Sequence, residues 1–589
     1  MKKSRVSRVA EVPERVAESS ERVSEVRDAV PESPGRRKFL RGIGAAGVAA
    51  MASATLGAGW LNPQDAGAAQ LEFADAMHGG GGESRAVIRR ERAFALRMQA
   101  ASREKHVALP AHPSNGDETR YPNRIGNFSK GLPHDSFGEV DAGAYAKFLK
   151  AVRTREPADF EAIPLGGNTR LIDPQAGLAF DMEGTDSHQM AIPASPALAS
   201  AERAGEAVEN YWQALLRDVP FTQYETSPLA AAAVADLNAL SDFRGPKVSG
   251  AVTVGTLFRG FCAGDLIGPY VSQFFFPTLQ YGAAEVVQQY QTYLPVGGGG
   301  LDYLIDMPSW LKAQNGQGPF GGNIIDSQRR YLRNGRDLAA YVHIDVLFEA
   351  YFNACIYLID AGAPLNPGNP YLASSNQTGF GTFGAPHLKT IVAEVATRAL
   401  KAVWYQKWMV HRALRPEAYG GLVHMTLAGI KSYPVHNDVL SSNAVQEVFN
   451  RNGTYLLPMA FPEGCPQHPS YGAGHATVAG ACSTIVKAFF DENWVVPNPM
   501  EASDDGLSLV PYSGSDAGQM TLGGEMNKIA ANVAIGRNHA GVHWRSDYAE
   551  SLLLGEAVAI SVLRDGRNCY NETFNGFTFT KFDGTQIVV

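Results

Sequence analysis

Between Pro386 and Arg415, apolar residues recur at three- and four-residue spacing: Leu388, Ile391, Val392, Val395, Ala399, Leu400 and Val403. That period predicts one long helix with a single buried face. Proline suits its first turn, and Pro416 ends it, because it lacks an N–H and biases Arg415 away from helical angles. The helix therefore delivers Lys407 near its end and Arg415 at its exit. Helical periodicity is also clear at 85–104, 142–154 and 199–217, and runs at helical spacing fill 327–361. Strand-like alternation is confined to 571–589 and 251–258. The chain reads as mainly α with long loops, and no fixed-period repeat is present.

The first 69 residues form a separate piece. Residues 1–35 are rich in Arg, Glu, Ser and Val, too polar to build a core, and read as disordered. Arg36-Arg37-Lys38-Phe39-Leu40 then precedes a Gly/Ala-rich apolar run to Trp60, with Ala66-Gly67-Ala68 as a cleavage site. This resembles a twin-arginine export signal and predicts a periplasmic or extracellular protein. A membrane anchor is the alternative, but the run is poor in large apolar residues. Of 51 Lys+Arg and 59 Asp+Glu, the leader holds 11 and 8, which leaves 40 and 51 and a net charge of -11. That acidic remainder argues against a nucleic-acid partner. Nothing else in the chain is long and apolar enough to span a membrane. Five cysteines exclude a disulfide scaffold, and an odd count leaves at least one thiol unbridged. Cys262, Cys355 and Cys482 sit in apolar or small-residue runs, as buried thiols do.

Three blocks carry chemistry. The first is Lys407-Trp-Met-Val-His-Arg-Ala-Leu-Arg415-Pro416; alone, such residues merely complement a helix C-terminus. The second is His468-Pro-Ser-Tyr-Gly-Ala473-Gly474-His475, followed by a small-residue helix over 477–490. It puts His475 near a helix N-terminus, where backbone amides face anions and Gly474 admits close approach. The third is Arg537-Asn-His-Ala-Gly-Val-His543-Trp-Arg545-Ser-Asp547, with His543 and Asp547 four apart. On a helix the two share a face, and the carboxylate fixes the tautomer of the imidazole. Together the blocks supply one Lys, two Arg, a glycine amide and two His, the inventory for a tetrahedral oxyanion with one axial histidine bond.

This order and spacing resemble the superfamily of vanadium-dependent haloperoxidases and type-2 acid phosphatases. Thr382–His387, 394–403, Arg415–Ala418, His468–Tyr471 and Gly541–Asp547 are similar to red-algal and cyanobacterial vanadium bromoperoxidases, and the similarity spans about 230 to 565. The resemblance implies two four-helix bundles around a vanadate site, with long loops and minor β-hairpins. It divides the chain into the leader (1–69), an N-terminal helical region (70–230) and a catalytic region (231–589) that forms one compact unit with the region before it. It assigns Lys407, Arg415, Gly474, Arg537 and His543 to vanadate, with His543 as the axial ligand to vanadium. His475 becomes the acid–base group, Lys407 polarises peroxide, and His468 and Asp547 support the pocket. Hydrogen peroxide, a halide ion and a small organic acceptor are the implied partners, and relatives form homo-oligomers.

Two departures stand out. Ala473 replaces the serine whose hydroxyl usually donates to a vanadate oxygen. Trp404 stands where chloroperoxidases carry Trp and algal bromoperoxidases Arg, whereas His468 is bromoperoxidase-like; the halide, bromide or chloride, is thus open. The stretch Asn366–Gln377 lacks the carboxylates a structural calcium needs. Two other functions fit the same pocket: phosphate-ester hydrolysis with a phosphohistidine at His543, and an oxyanion-binding protein with weakened catalysis.

Overall fold

The computed structural model describes residues 82–589. The leader and export signal read at 1–69 lie outside the described residues. Ala93–Val589 make one compact unit, built mainly of helices joined by long loops. Among the described residues, strands occur only as three small antiparallel hairpins: 279–281 with 284–286, 500–502 with 509–511, and 578–580 with 586–588. The last falls inside the alternation at 571–589. The strand expected over 251–258 does not form; a single 3-10 turn at Val254–Thr256 stands there instead, capped between Thr253 and Thr256.

Four helices make the central bundle: Ala385–Trp404, Gly474–Phe489, Leu522–His539 and Arg545–Arg567. The predicted stripe on the first is buried, with Val392, Val395, Ala399 and Val403 all sealed from solvent. The stripe belongs to one core with Val478, Cys482, Ile485, Ile529, Val533 and Leu552 of the other three helices. Each larger aliphatic side chain here contributes about 1.5–3 kcal/mol. The Gly474–Phe489 and Arg545–Arg567 helices pack backbone to backbone. A Cβ at Gly480 would stand 2.1 Å from the Leu552 carbonyl oxygen, and one at Gly555 1.9 Å from that of Thr477. Small residues at this crossing are therefore a packing requirement.

A second core surrounds the helix Ala201–Leu216 and includes Pro228–Ala239, Pro416–Leu427 and Asn443–Asn452. Ser200 caps the first of these by accepting from the Arg203 N–H. The two cores interlock across the middle of the chain. Glu209 pairs with Arg545, and Asn210 Nδ2 donates to the His543 carbonyl at 3.1 Å.

Two predicted helices are interrupted, and both breaks serve the site. The run at 327–361 splits into Gly335–Ile344 and Glu349–Asp360, bent by 97°, with Asp345 at the corner. The helix expected to continue to Arg415 stays α only to Trp404, then widens into a π-helix over Tyr405–His411. Arg412 takes a left-handed conformation (φ 45°) and ends it. Its guanidinium pairs with Glu118 at 2.7 Å, an interaction across 294 residues that no local period reveals. No single described helix is long and apolar enough to cross a membrane. Cys262, Cys355, Cys465 and Cys482 are buried.

Candidate anion site between two cores

The π-turn aims Lys407 inward, where it is fully buried. Its Nζ donates to the carbonyls of Pro469 and Ser470 at 2.7 and 2.8 Å. Arg415 is the N-cap of the Pro416–Leu427 helix, in the extended conformation that Pro416 favours. Its guanidinium donates to the carbonyls of His468 (2.9 Å) and Val542 (2.6 Å), to His468 Nδ1 (2.9 Å) and to His543 Nε2 (3.1 Å). Arg537 comes from the last turn of Leu522–His539 and donates to the Val342 carbonyl at 2.7 Å. Its Nε is buried without a protein partner.

His543 lies two residues before the Arg545–Arg567 helix, so its pairing with Asp547 is a capping contact rather than a shared helical face. Asp547 Oδ2 accepts from the Trp544 N–H at 3.1 Å, from the Ser470 hydroxyl, and from His543 Nδ1 at 2.6 Å. A carboxylate only accepts and a guanidinium only donates. His543 thus carries its proton on Nδ1 and presents the Nε2 lone pair. Burial, then Arg415, Lys407 and Arg537, hold the His543 imidazolium well below the ordinary histidine range, so the ring is neutral. Burial and the neighbouring Lys407 and Arg415 do the same to His468. Burial and Arg415 also press the Lys407 ammonium well below its usual range and draw Arg537 down to about 10.

His475 opens the Gly474–Phe489 helix, and its Nε2 lies 3.0 Å from Asp345 Oδ1. Asp345 was not singled out in the sequence. It sits 130 residues away at a helix corner, and nothing local marks it. Ala473 is the N-cap of that helix, without a side-chain cap; its N–H donates to Ser551 Oγ at 2.7 Å. Gly474 faces Trp404: a Cβ there would stand 3.0 Å from the indole Cζ3. Trp404 packs on His468 with ring centroids 4.8 Å apart, and its ring centroid is 5.6 Å from Lys407 Nζ. Contacts thus join Lys407, Arg415, His468, His543 and Asp547 into one buried cluster, with Arg537 near enough to repel Lys407, Trp404 packed on His468 with Gly474 against its indole, and His475 held next to Gly474 by Asp345.

The charge balance is unusual. Lys130, Arg217, Arg336, Lys528 and Arg545 are buried cations that each hold a carboxylate. Among the described residues, Lys407, Arg415 and Arg537 form no ion pair with a carboxylate. Lys487 is likewise buried without an ion pair, but Lys407, Arg415 and Arg537 lie close enough to depress one another's pKa values, and such a cluster of buried positive charge favours a bound anion. A tetrahedral oxyanion fits: it offers acceptors to all three cations and to the Gly474 amide, and an electrophilic centre to His543 Nε2.

A further fixture was missed in the sequence. Glu417 and Lys130 form a buried ion pair at 2.8 Å. Glu417 Oε2 also accepts from the Cys465 N–H, and Lys130 Nζ donates to the Glu463 carbonyl at 2.7 Å. The pair fastens the loop that carries His468 and the carbonyls that hold Lys407.

Residues 388–572 match the family model described as VCPO second helical-bundle domain. The chain is 36% identical to the vanadium-dependent bromoperoxidase of Corallina pilulifera, over 85% of this chain and 98% of the relative. It is equally 36% identical to the vanadium-dependent bromoperoxidase of Ascophyllum nodosum, over 85% and 92%. Among solved structures, the homohexameric second vanadate-dependent bromoperoxidase of Ascophyllum nodosum matches with a TM-score of 0.80 and 33% identity, over 86% of this chain and 90% of that one.

Proposed function

The chain belongs to the vanadium-dependent bromoperoxidase family, and from that premise we propose that Lys407, Arg415, Gly474, Arg537 and His543 hold its vanadate. The enzyme oxidises halide with hydrogen peroxide to hypohalous acid, which then halogenates a small organic acceptor. The observation that carries the site assignment is the set of three buried cations without a carboxylate partner beside the Nε2 lone pair of a neutral His543, whose one partner is the Arg415 guanidinium. Neither phosphate-ester hydrolysis nor oxyanion binding without catalysis is favoured.

Bound vanadate supplies a Lewis-acid centre that activates peroxide at constant oxidation state. The chain's own groups do the rest. Lys407, Arg415 and Arg537, all buried, would neutralise oxygen charge where each contact is stronger than in water. Asp547 keeps His543 in the tautomer that offers Nε2. Asp345 takes the Nε2–H of His475, which leaves Nδ1 as the atom that accepts and releases a proton. We take bromide as the halide, on the family relation, with His468 beside Arg415 in its support; Trp404 keeps chloride as the competitor to be tested. The homohexameric relative supports a homo-oligomer, which light scattering on the purified protein checks. Export by the twin-arginine route is tested by sequencing the mature N-terminus after cell fractionation.

The deciding experiment loads vanadate-free protein with vanadate or with phosphate. Halogenation dependent on bromide, peroxide and vanadate is expected; hydrolysis of a phosphate ester without vanadate, and no halogenation with it, would sink the reading. Chloride in place of bromide settles the halide.

Ala473→Ser is expected to tighten vanadate binding. Ala473 has N-cap angles (φ -85°, ψ 129°), so a serine hydroxyl there can accept from the first turn of the helix while donating to the anion. One such bond to a charged acceptor is worth about 1.5–3 kcal/mol, or about 10- to 100-fold in affinity. Unchanged affinity by calorimetry would mean that another donor already serves that oxygen.

A further inference from the structure

Beside the anion site stand four side chains that the chemistry above does not use. The Tyr293 hydroxyl lies 2.6 Å from His343 Nδ1, and His343 Nε2 lies 2.7 Å from Glu463 Oε1. A carboxylate only accepts, so Nε2 carries the proton and Nδ1 accepts from the tyrosine. The imidazole is therefore held at both nitrogens. In that position it stacks on Phe461, with centroids 3.7 Å apart and planes 15° from parallel. The Arg537 guanidinium lies over the same Phe461 ring, 5.7 Å from its centroid. Glu463 is itself anchored through its carbonyl, which accepts from Lys130.

Arg537 needs such support more than the other two cations. Lys407 is tied to two carbonyls, and Arg415 to two carbonyls and two histidines. Arg537 donates to the Val342 carbonyl alone, and its Nε has no protein partner. Val342 and His343 are consecutive, so one helical turn supplies both the carbonyl and the ring that backs Phe461.

We propose that His343 is a positioning residue for the anion site: clamped by Tyr293 and Glu463, it braces Phe461 and so fixes the Arg537 guanidinium that receives the anion. The inference rests on the assignment of Arg537 to vanadate. It makes the solvent-facing rim at His343 and Glu463 part of the apparatus that sets vanadate affinity, without contact to the anion.

The test is calorimetric titration of orthovanadate into the vanadate-free full-length protein, with the thermal midpoint of each variant recorded in the absence of vanadate. His343→Ala is expected to weaken binding about tenfold, the scale of one desolvated cation–π contact. His343→Phe, which keeps the stack and loses both hydrogen bonds, is expected to lose about threefold, clearly less than alanine. Tyr293→Phe, a milder change should the alanine variant not fold, is expected to lose about threefold. In an Arg537→Ala background, neither His343→Ala nor Tyr293→Phe should add to the loss. Wild-type affinity in His343→Ala, full additivity with Arg537→Ala, or a phenylalanine variant as weak as alanine would overturn the proposal. A wild-type protein that does not bind vanadate would instead overturn the site assignment.

Discussion

His543→Ala is expected to abolish vanadate-dependent halogenation and to weaken vanadate binding by on the order of 100-fold or more. Loss of even an outer partner of a ligating histidine costs about 10- to 100-fold, and His543 would be the ligand itself in this assignment. The structure makes the result specific. His543 is 2% exposed, neutral, and tied to Asp547 through Nδ1, so its Nε2 presents a lone pair beside the Arg415 guanidinium. Alanine removes that pair but leaves Lys407, Arg415 and Arg537 in place. Residual electrostatic binding of vanadate, and of phosphate, should therefore persist at the weaker level. Thermal unfolding of the variant guards against a trivial loss of fold. Added imidazole, small enough to enter the vacated space, should restore part of the binding. Vanadate affinity within tenfold of wild type would refute the axial assignment.

Glu417→Gln is expected to cost about 3–5 kcal/mol of stability, the range for a buried ion pair broken on one side. Lys130 and Glu417 have side chains only 2% and 1% exposed. Removing the carboxylate strands the Lys130 ammonium away from water. The same carboxylate holds the Cys465 N–H, so the loop to Ser470 loses its anchor and the site should loosen with it. Replacing both partners, Lys130→Met with Glu417→Gln, should destabilise less than Glu417→Gln alone, because no charge is left uncompensated. Chemical denaturation of the two variants reads this directly. A loss below about 1 kcal/mol for Glu417→Gln would show that water reaches Lys130 and that the pair does not hold the loop.

The value of local pattern differs between the parts of this protein. The stripe from Leu388 to Val403 is a property of the backbone period, so its buried face was legible without any structure. The pre-proline conformation of Arg415 and a helix N-terminus near His475 follow from residues within a few positions, although the helix begins at Gly474, three residues before the expected 477. The π-turn at Tyr405–His411 and the corner at Asp345 were not legible. Both depend on what the helices meet in space: Glu118 on Arg412, and His475 on Asp345. The expected shared helical face of His543 and Asp547 was the right pair in a different geometry, since a capping contact also joins residues at that spacing.

The sequence by itself determined a mainly helical fold and the donor set of the site, because helical period and side-chain chemistry are local properties. It listed three cations in an acidic chain and could not show that they are buried without carboxylates. Only the tertiary structure decided that. Salt bridges form between residues hundreds of positions apart, so the partners of Lys130, Arg412 and Arg545, and the lack of any for Lys407, Arg415 and Arg537, exist only after folding. The preference for an anion arises because the fold clusters three such unpaired cations together, where they repel one another until a negative charge joins them.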